Sequence, residues 1–407
     1  MENPHKKHTQ TPVLNVQIGG TDLSGVTTNP KEGGSGKAEQ RTITLKELLV
    51  EKSLDAPDFF RIRYVSQDMG KRLDNDSIRH GSAVEIKIGW KETAALFMGE
   101  VSYINATFGS NTDSGLELSG YDHMHRLTRG NVSRTWGDGL NSNVRYPDVF
   151  KEVIEESKAR EGAGADDLQV MASESEGEPP SVRYVPQIAS NNYQFIRSLG
   201  ADIDQAVDAD TSNDDKMIQF RKVQIAQSDK DADFTVSFDK VTKSDEIFGD
   251  RVEFKVSTVR QVAKVVVRGW NPQSKKNIVG EATATTMDFG VTPGHQVAGQ
   301  AYWSSSASGK VHTIVDHPVD SKEEADAVAQ SVFDKLSMDF VHGEAEIMGD
   351  AAVVPGQTVC FKGYGKQFDG RYLVTGCTHS YMPGYENYVT RFSFSRNGAE
   401  DMVAGGA

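Results

Sequence analysis

Apolar and polar residues alternate along much of this chain. Val84, Ile86, Ile88 and Trp90 are separated by Glu85, Lys87 and Gly89, the period-2 pattern of a strand buried on one face. The pattern recurs at Leu116 and Leu118, at Phe234, Val236 and Phe238, at Val252, Phe254 and Val256, and at Phe392 and Phe394. Clusters of Gly, Asn, Asp and Ser divide these stretches and predict turns. Helical spacing interrupts the strands in three places. Pro147 opens the first helix, with Phe150, Val153 and Ile154 on one face. The second begins at Asn191 or Asn192 and buries Phe195, Ile196 and Leu199. The third spans about 321–340, where Ser321 and Glu324 form a capping box ahead of Ala325, Val328, Val332 and Leu336. Three stretches lack either period and are expected to be long loops: a flexible one at 19–40, then 162–180 and 280–309.

One pattern occurs twice. Gly81, Val84, Ile86 and Lys87 precede Phe97, Gly99 and Val101, while Gly356, Val359, Phe361 and Lys362 precede Phe368, Gly370 and Tyr372. Each copy reads as a strand, a hairpin loop and a second strand whose glycine permits a bulge or close approach. Agreement at five or more positions in type and order favours duplication over coincidence. The expected fold is therefore mainly β with a few α-helices: two similar antiparallel β-barrel domains plus α+β insertions. With 407 residues, more than one core normally holds, the chain divides into a first barrel at 1–135, an α+β middle region at 136–250, and a β region at 251–407 with the capped helix and the second barrel.

Composition narrows the function. There are 44 basic against 58 acidic residues, a formal charge of −14, which disfavours a broad phosphate-binding surface and so specific nucleic-acid binding. Residues 1–13 are polar, basic around Lys6 and Lys7, and lack the apolar run of a signal peptide. No apolar run approaches the roughly 20 residues of a membrane helix, so no membrane partner is expected. Cys360 and Cys377 are expected to be buried thiols in a reducing cytoplasm, with a cross-strand disulfide as the alternative.

Chemical motifs are sparse. Gly33, Gly34, Ser35, Gly36 and Lys37 resemble a phosphate loop, but Lys31 and Ala38 stand where glycine and Ser or Thr are needed, and no apolar strand precedes them. Asp122, His123 and His125 form one histidine cluster, and His312, Asp316 and His317 another; neither supplies the three or four convergent ligands of a zinc site. Glu155 and Glu156 lie opposite the apolar face of the first helix and read as a solvated surface. No catalytic, cofactor-binding or metal-ligating residue is assigned, no cofactor is expected, and the chain is not expected to be an enzyme.

Longer runs carry a family resemblance. Gly120, Tyr121, Asp122, His125, Leu127, Thr128, Arg129 and Gly130 fit the G-Y-D-x-x-H-x-L-T-R-G stretch of the late control gene D family of baseplate hub proteins. Residues 185–199 (VPQIASNNYQFIRSL) are similar to that family's Q-x-x-x-S-D-x-x-F-L-x-x-L helix, with Asn191 and Asn192 at the Ser-Asp positions and Ile196 at the Leu. Residues 267–272 (VRGWNP) resemble its V-x-G-W-D-P with Asn271 for Asp. His317, Pro318 and Val319 precede the capped helix as in the family. Residues 355–376 (PGQTVCFKGYGKQFDGRYLVTG), with Thr378 and His379, resemble its ending. The resemblance spans about 80–397.

It implies a structural hub of a contractile phage tail or injection machine, related to the hub part of type VI secretion proteins. Such a hub is a homotrimeric ring with an inner tube ring above, a spike below and baseplate wedge proteins as further candidate partners. It would assemble in the bacterial cytoplasm and become part of a tail or injection-particle baseplate. Because the chain stops after its last strand, the spike is expected to be a separate polypeptide. Two barrels in each of three subunits would give six near-equivalent surfaces, adapting a sixfold tube to a threefold spike. The alternatives are a baseplate-associated cell-wall-degrading enzyme and a host-surface-binding adhesin.

Overall fold

The computed structural model describes residues 11–24, 43–66, 78–109, 114–139, 143–161, 169–172, 181–210, 217–238, 246–271, 273–303, 309–383 and 388–400. The glycine-rich 33–37 stretch and most of the 19–40 loop lie outside them. Strands dominate, with four α-helices among the described residues.

The first part contains β1 (Val13–Ile18), β2 (Thr21–Asp22), β3 (Thr44–Ser53), β4 (Ala56–Ser66), β5 (Ala83–Gly89), β6 (Ala94–Thr107) and β7 (Ser114–Tyr121). A 3-10 turn (His123–Thr128) leads into the middle region: β8 (Val132–Trp136), α1 (Tyr146–Glu161), β9 (Gln169–Ala172), β10 (Val185–Ser190), α2 (Asn192–Asp202), β11 (Ala206–Asp210) and β12 (Met217–Arg221). The last part begins with β13 (Phe234–Ser237) and β14 (Glu246–Val256). An insertion follows, made of β15 (Lys264–Asn271), β16 (Lys276–Ala282), α3 (Gly294–Tyr302), β17 (Val311–Ile314) and α4 (Lys322–Ser337). The chain then completes the sheet with β18 (Val341–Met348), β19 (Thr358–Lys362), β20 (Gly370–Tyr381) and β21 (Tyr388–Arg396).

First and last parts share one 13-stranded sheet, in the order β19-β13-β14-β18-β21-β20-β3-β4-β7-β6-β5-β1-β2. An additional β19–β20 ladder closes six of these strands into a barrel. Its interior holds Val236, Phe361, Tyr372, Phe392 and Phe394, each less than 2% exposed. Phe254 reaches into the same cluster, with ring centroids 5.2 Å from Phe361 and 4.8 Å from Phe368. Each such side chain contributes about 1.5–3 kcal/mol by leaving water.

Within the sheet, a strand order is used twice. Reading outward from β14, the last part runs β14-β18-β21-β20-β19; from β3, the first part runs β3-β4-β7-β6-β5. The chain visits both sets in the same sequence. The closing strands differ: β13 lies parallel to both β14 and β19, whereas β1 is antiparallel to β5. No ladder joins β1 to β3 among the described residues, although side chains of β1 and of β3–β7 meet in one core. The expected pair of barrels is thus, in hydrogen bonds, one closed barrel and one open sheet of the same order.

The middle region packs α1 and α2 against the β11-β12-β9 sheet and the β8–β10 pair, with Phe150, Ile196 and Phe220 at its centre. Asn191 caps α2 by accepting from the Gln194 amide at 2.8 Å. The expected boundary at 250 falls inside β14, and β13 belongs to the barrel. The insertion has its own core, where α4 covers one face of the β16-β15-β17 sheet. Ser321 Oγ accepts from the Glu324 amide at 3.1 Å, and Glu324 Oε2 accepts from the Asp320 amide at 2.6 Å, the expected capping box reaching one residue further back.

The loop expectations fail in part: 19–40 contains β2, 162–180 contains β9, and 280–309 contains the end of β16 and α3, a helix with few large apolar residues. It packs by close approach instead: a Cβ on Gly294 would lie 2.3 Å from the Phe340 ring, and Val297 and Ala298 are buried. Small residues at a helix contact give periodicity analysis little signal.

Candidate assembly surface

The repeated residues all belong to the two hairpins β5–β6 and β19–β20. Gly81 and Gly356 occupy left-handed backbone, φ +80° and +90°, just ahead of their strands. The Gly81 amide donates to Val101 O at 2.8 Å, and the Val101 amide donates to Ser82 O at 3.0 Å. The Gly356 amide donates to Val374 O at 2.8 Å, and the Val374 amide donates to Gln357 O at 2.9 Å. The structural counterpart of Val101 is therefore Val374, not Tyr372. Ladder registers agree: Val84 faces Gly99, whereas Val359 faces Tyr372.

Sequence alignment on F-x-G was off by two, which preserves the face of every side chain and so leaves no trace in the apolar pattern. Val84, Ile86, Phe97, Val359 and Phe361 are buried in their respective cores, while Phe368 is half-buried against Phe254. The two motif glycines differ. A Cβ on Gly99 would strike Tyr121 O at 2.3 Å, whereas Gly370 has φ +110°. A second parallel lies on the outer face: Arg63 on β4 pairs with Glu117 on β7 at 2.6 Å, and Glu346 on β18 pairs with Arg391 on β21 at 2.5 Å, in corresponding strand pairs.

The glycine-tyrosine-aspartate motif forms the corner where the first sheet turns into the middle region. Asp122, 1% exposed, accepts from the amides of Met124 and Asp58, each at 2.8 Å. Burial, reinforced by the neighbouring Asp58 charge, raises its carboxyl well above the usual range. Met124 and Leu127 enter the middle core. Arg126 grips Glu100 through Nε at 3.1 Å and Nη2 at 2.7 Å, with Arg129 at 3.0 Å and His125 at 3.2 Å. Burial favours a neutral Glu100, but the hydrogen bonds and charge of Arg126, with His125 and Arg129, hold its pKa below the ordinary value. Glu100 lacked a sequence signal, because one acid in a strand looks like surface until its partners are placed.

A ladder between β3 and β20 joins the two halves of the sheet, with Lys52 facing Cys377 and Val50 facing His379. Trp90 Nε1 donates to Gly349 O at 2.7 Å across the same seam. Cys377 Sγ lies 3.3 Å from His379 Nε2, and His379 Nδ1 lies 3.1 Å from both Tyr388 Oη and Thr390 Oγ1. This is not an activated thiol. Burial pushes Cys377 up to about 12 and His379 down to about 3, leaving both uncharged where a nucleophile needs a thiolate. Cys360 and Cys377 are both free and buried. Over this seam lies a groove of about 560 Å³ whose walls interleave Glu51, Arg251, Glu253, Glu344, Glu346 and Arg391.

His317 Nε2 sits 3.6 Å from Asp202 Oδ2, joining insertion to middle region, while His312 is exposed on β17. Among the described residues, no three His, Cys, Asp or Glu side chains are grouped to hold a metal ion. Burial, then the charge of Glu324, pushes Asp202 up to about 7, and burial holds His317 below its usual value, so at neutral pH this is not a full ion pair. A raised folded-state pKa means a contribution present below the unfolded value near 4 and lost as pH rises through about 7. Asp202→Asn should therefore flatten the stability loss between pH 5 and 8 by about 1–3 kcal/mol. Urea titrations at both pH values measure it, and parallel wild-type and variant profiles would refute it.

Solved tail proteins share this architecture. A 43 kDa tail protein of prophage MuSo2 from Shewanella oneidensis superposes with a TM-score of 0.63 at 11% identity, over 95% of this chain and 99% of its own. A tail protein from Neisseria meningitidis MC58 gives 0.61 at 12%, over 96% and 98%. The chain has a phage-tail-protein fold. An E. coli component of the type VI secretion system, described as structurally similar to the T4 tail proteins gp27 and gp5, gives 0.52 at 12%, over 91% of this chain and 78% of its own. The Alg8 N-terminal domain family model matches residues 205–382, under half of the chain, and stops before the barrel strand β21. No curated protein sequence matches. No helix among the described residues is long and apolar enough to cross a membrane.

Proposed function

We propose that this chain is the structural hub of a contractile tail or injection-machine baseplate, a homotrimer that adapts a sixfold inner tube to a threefold spike. The observation that carries this reading is the strand order used twice in one continuous sheet, on a chain of which 95–96% superposes on tail proteins. Three copies of a subunit with two similar sheet units present six similar outer surfaces, which is what a threefold-to-sixfold junction requires. Late control gene D membership and the division into two barrel units belong to the same proposal.

A structural rather than enzymatic role is supported by how the polar clusters are used. Asp122, Glu100 and His379 are each tied into backbone or side-chain bonds that hold strands together. The motif residues Gly81, Val84, Ile86, Phe97, Gly99, Gly356, Val359, Phe361, Phe368 and Gly370 act through the shape of the two hairpins, with no chemistry of their own.

Native mass spectrometry of the purified protein tests the oligomer, and imaging of assembled particles tests the adaptor. The expected result is a trimer in which the β3–β7 and β14/β18–β21 units superpose and alternate around one ring. A monomer in the presence of spike would overturn the hub reading. Units at different heights along the axis would overturn the adaptor alone.

A further inference from the structure

Two acids and one base meet in the buried corner between the first sheet and the middle region. Lys52 on β3 is 5% exposed, Asp58 on β4 8%, and Asp122, ahead of the 3-10 turn, 1%. Lys52 is the only buried lysine among the described residues. Its Nζ lies 3.8 Å from Asp58 Oδ2. The two aspartates are tied to each other: the Asp58 amide donates to Asp122 Oδ2 at 2.8 Å, and the Asp122 amide donates to Asp58 O at 3.0 Å. One ammonium balances one carboxylate. A second carboxylate, taken out of water with no charge left to offset it, is costlier than a carboxyl that keeps its proton.

The charged groups around this trio are engaged elsewhere. Arg197 on α2 pairs with Asp55 at 2.9 Å, and Arg221 on β12 pairs at 2.6 Å with Asp208, itself a further negative charge acting on Asp58. Arg126, Arg129 and His125 gather on Glu100. Cys377, opposite Lys52 in the ladder, and His379 are uncharged. His123, next to Asp122, is buried. On α2, Tyr193 is 6% exposed and its hydroxyl has no hydrogen-bond partner among the described residues; burial, opposed by Arg197 and reinforced by Asp122, Asp55 and Asp58, pushes it up to about 12. We propose that Lys52, Asp58 and Asp122 form an acid latch: the two carboxyls keep one proton between them while the corner is closed, and its loss loosens the middle region from the first sheet. The latch is a property of the fold and does not depend on the hub reading. Burial raises both carboxyls, Asp58 to about 6 against the opposing Lys52 charge and Ser53 amide, and Asp122 well above the usual range. Acids raised in this way contribute most below the unfolded value of about 4, and that contribution is lost as pH rises through about 6 and beyond. A histidine buried neutral has the opposite sign and loosens the fold as pH falls.

Hydrogen exchange of the full chain between about pH 6 and pH 9, corrected for the intrinsic rate, tests the latch. Opening of residues 54–60 and 120–130 should rise by up to about tenfold per pH unit, the response to one proton, while β14 and β18 show no such rise. Asp58→Asn leaves Lys52 with a single carboxylate and should abolish the excess slope. Lys52→Met leaves two acids without their cation and should move the slope to higher pH. The two variants are independent, so if one fails to fold the other decides. Infrared spectra at neutral pH give a second readout, the carbonyl stretch of a protonated carboxyl, present in wild type and weaker in Asp58→Asn. A wild type without the excess slope, an Asp58→Asn variant that keeps the slope or the full infrared band, or a Lys52→Met slope that stays in place overturns the latch. Loosening as pH falls, removed by His123→Gln, would assign the response to the imidazole and overturn it as well.

Discussion

Glu100→Ala is expected to cost the fold about 3–5 kcal/mol, the range for stripping a buried charge of its partner. Glu100 is 4% exposed and holds Arg126, itself only 13% exposed in its side chain, by two hydrogen bonds. Removing the carboxylate takes from that buried guanidinium its two hydrogen bonds to Glu100, and releases Arg129 and His125 from their contact with Glu100 at the corner between β6 and the 3-10 turn. The corner connects the first sheet to the middle core through Met124 and Leu127, so the middle region should lose protection against hydrogen exchange before the barrel does. Arg126→Met combined with Glu100→Gln should recover part of the loss, because a pair removed together leaves no orphan charge. Denaturant unfolding of the single and double variants gives the coupling. Additive losses would mean that the cluster is surface decoration.

Arg396→Met is expected to be comparably damaging, about 3–5 kcal/mol, because several carbonyls lose their donor at about 1–3 kcal/mol each where they are buried. Arg396 is fully buried, and no carboxylate is seen to pair with it among the described residues. Its Nε donates to Gly398 O at 2.8 Å, Nη1 to Asp369 O at 2.9 Å and Nη2 to Gln367 O at 2.8 Å, while the guanidinium lies 4.2 Å over the Tyr372 ring. Burial lowers its pKa, but a guanidinium starts so high that it stays charged. The side chain thus bridges the β19–β20 turn, the end of β21 and the barrel interior, and its loss leaves three carbonyls without a donor. Arg396→Lys should rescue little, since one ammonium cannot span three carbonyls fixed by a planar fork. Thermal unfolding of both variants measures this. A lysine variant as stable as wild type would show that charge matters there and fork geometry does not.

Local order was legible from residues alone. Alternation located β5, β7, β13, β14 and β21, because a strand with one wet face must repeat every second residue. The Ser321–Glu324 box located the start of α4, because capping chemistry is local. Glycine at 81 and at 356 was legible as well, because a left-handed turn ahead of each strand demands it. What the sequence left open depends on residues far apart. The two-residue slip between the hairpins is set by how each ladder closes, and a shift of two leaves every side chain on its face. Helix α3 escaped notice because it packs through Gly294 against Phe340 rather than through large apolar side chains. Glu100, Arg396 and Asp202 read as ordinary surface charges in one dimension; only the folded chain brings Arg126, the three carbonyls and Glu324 to them, and burial then makes each of those contacts decisive.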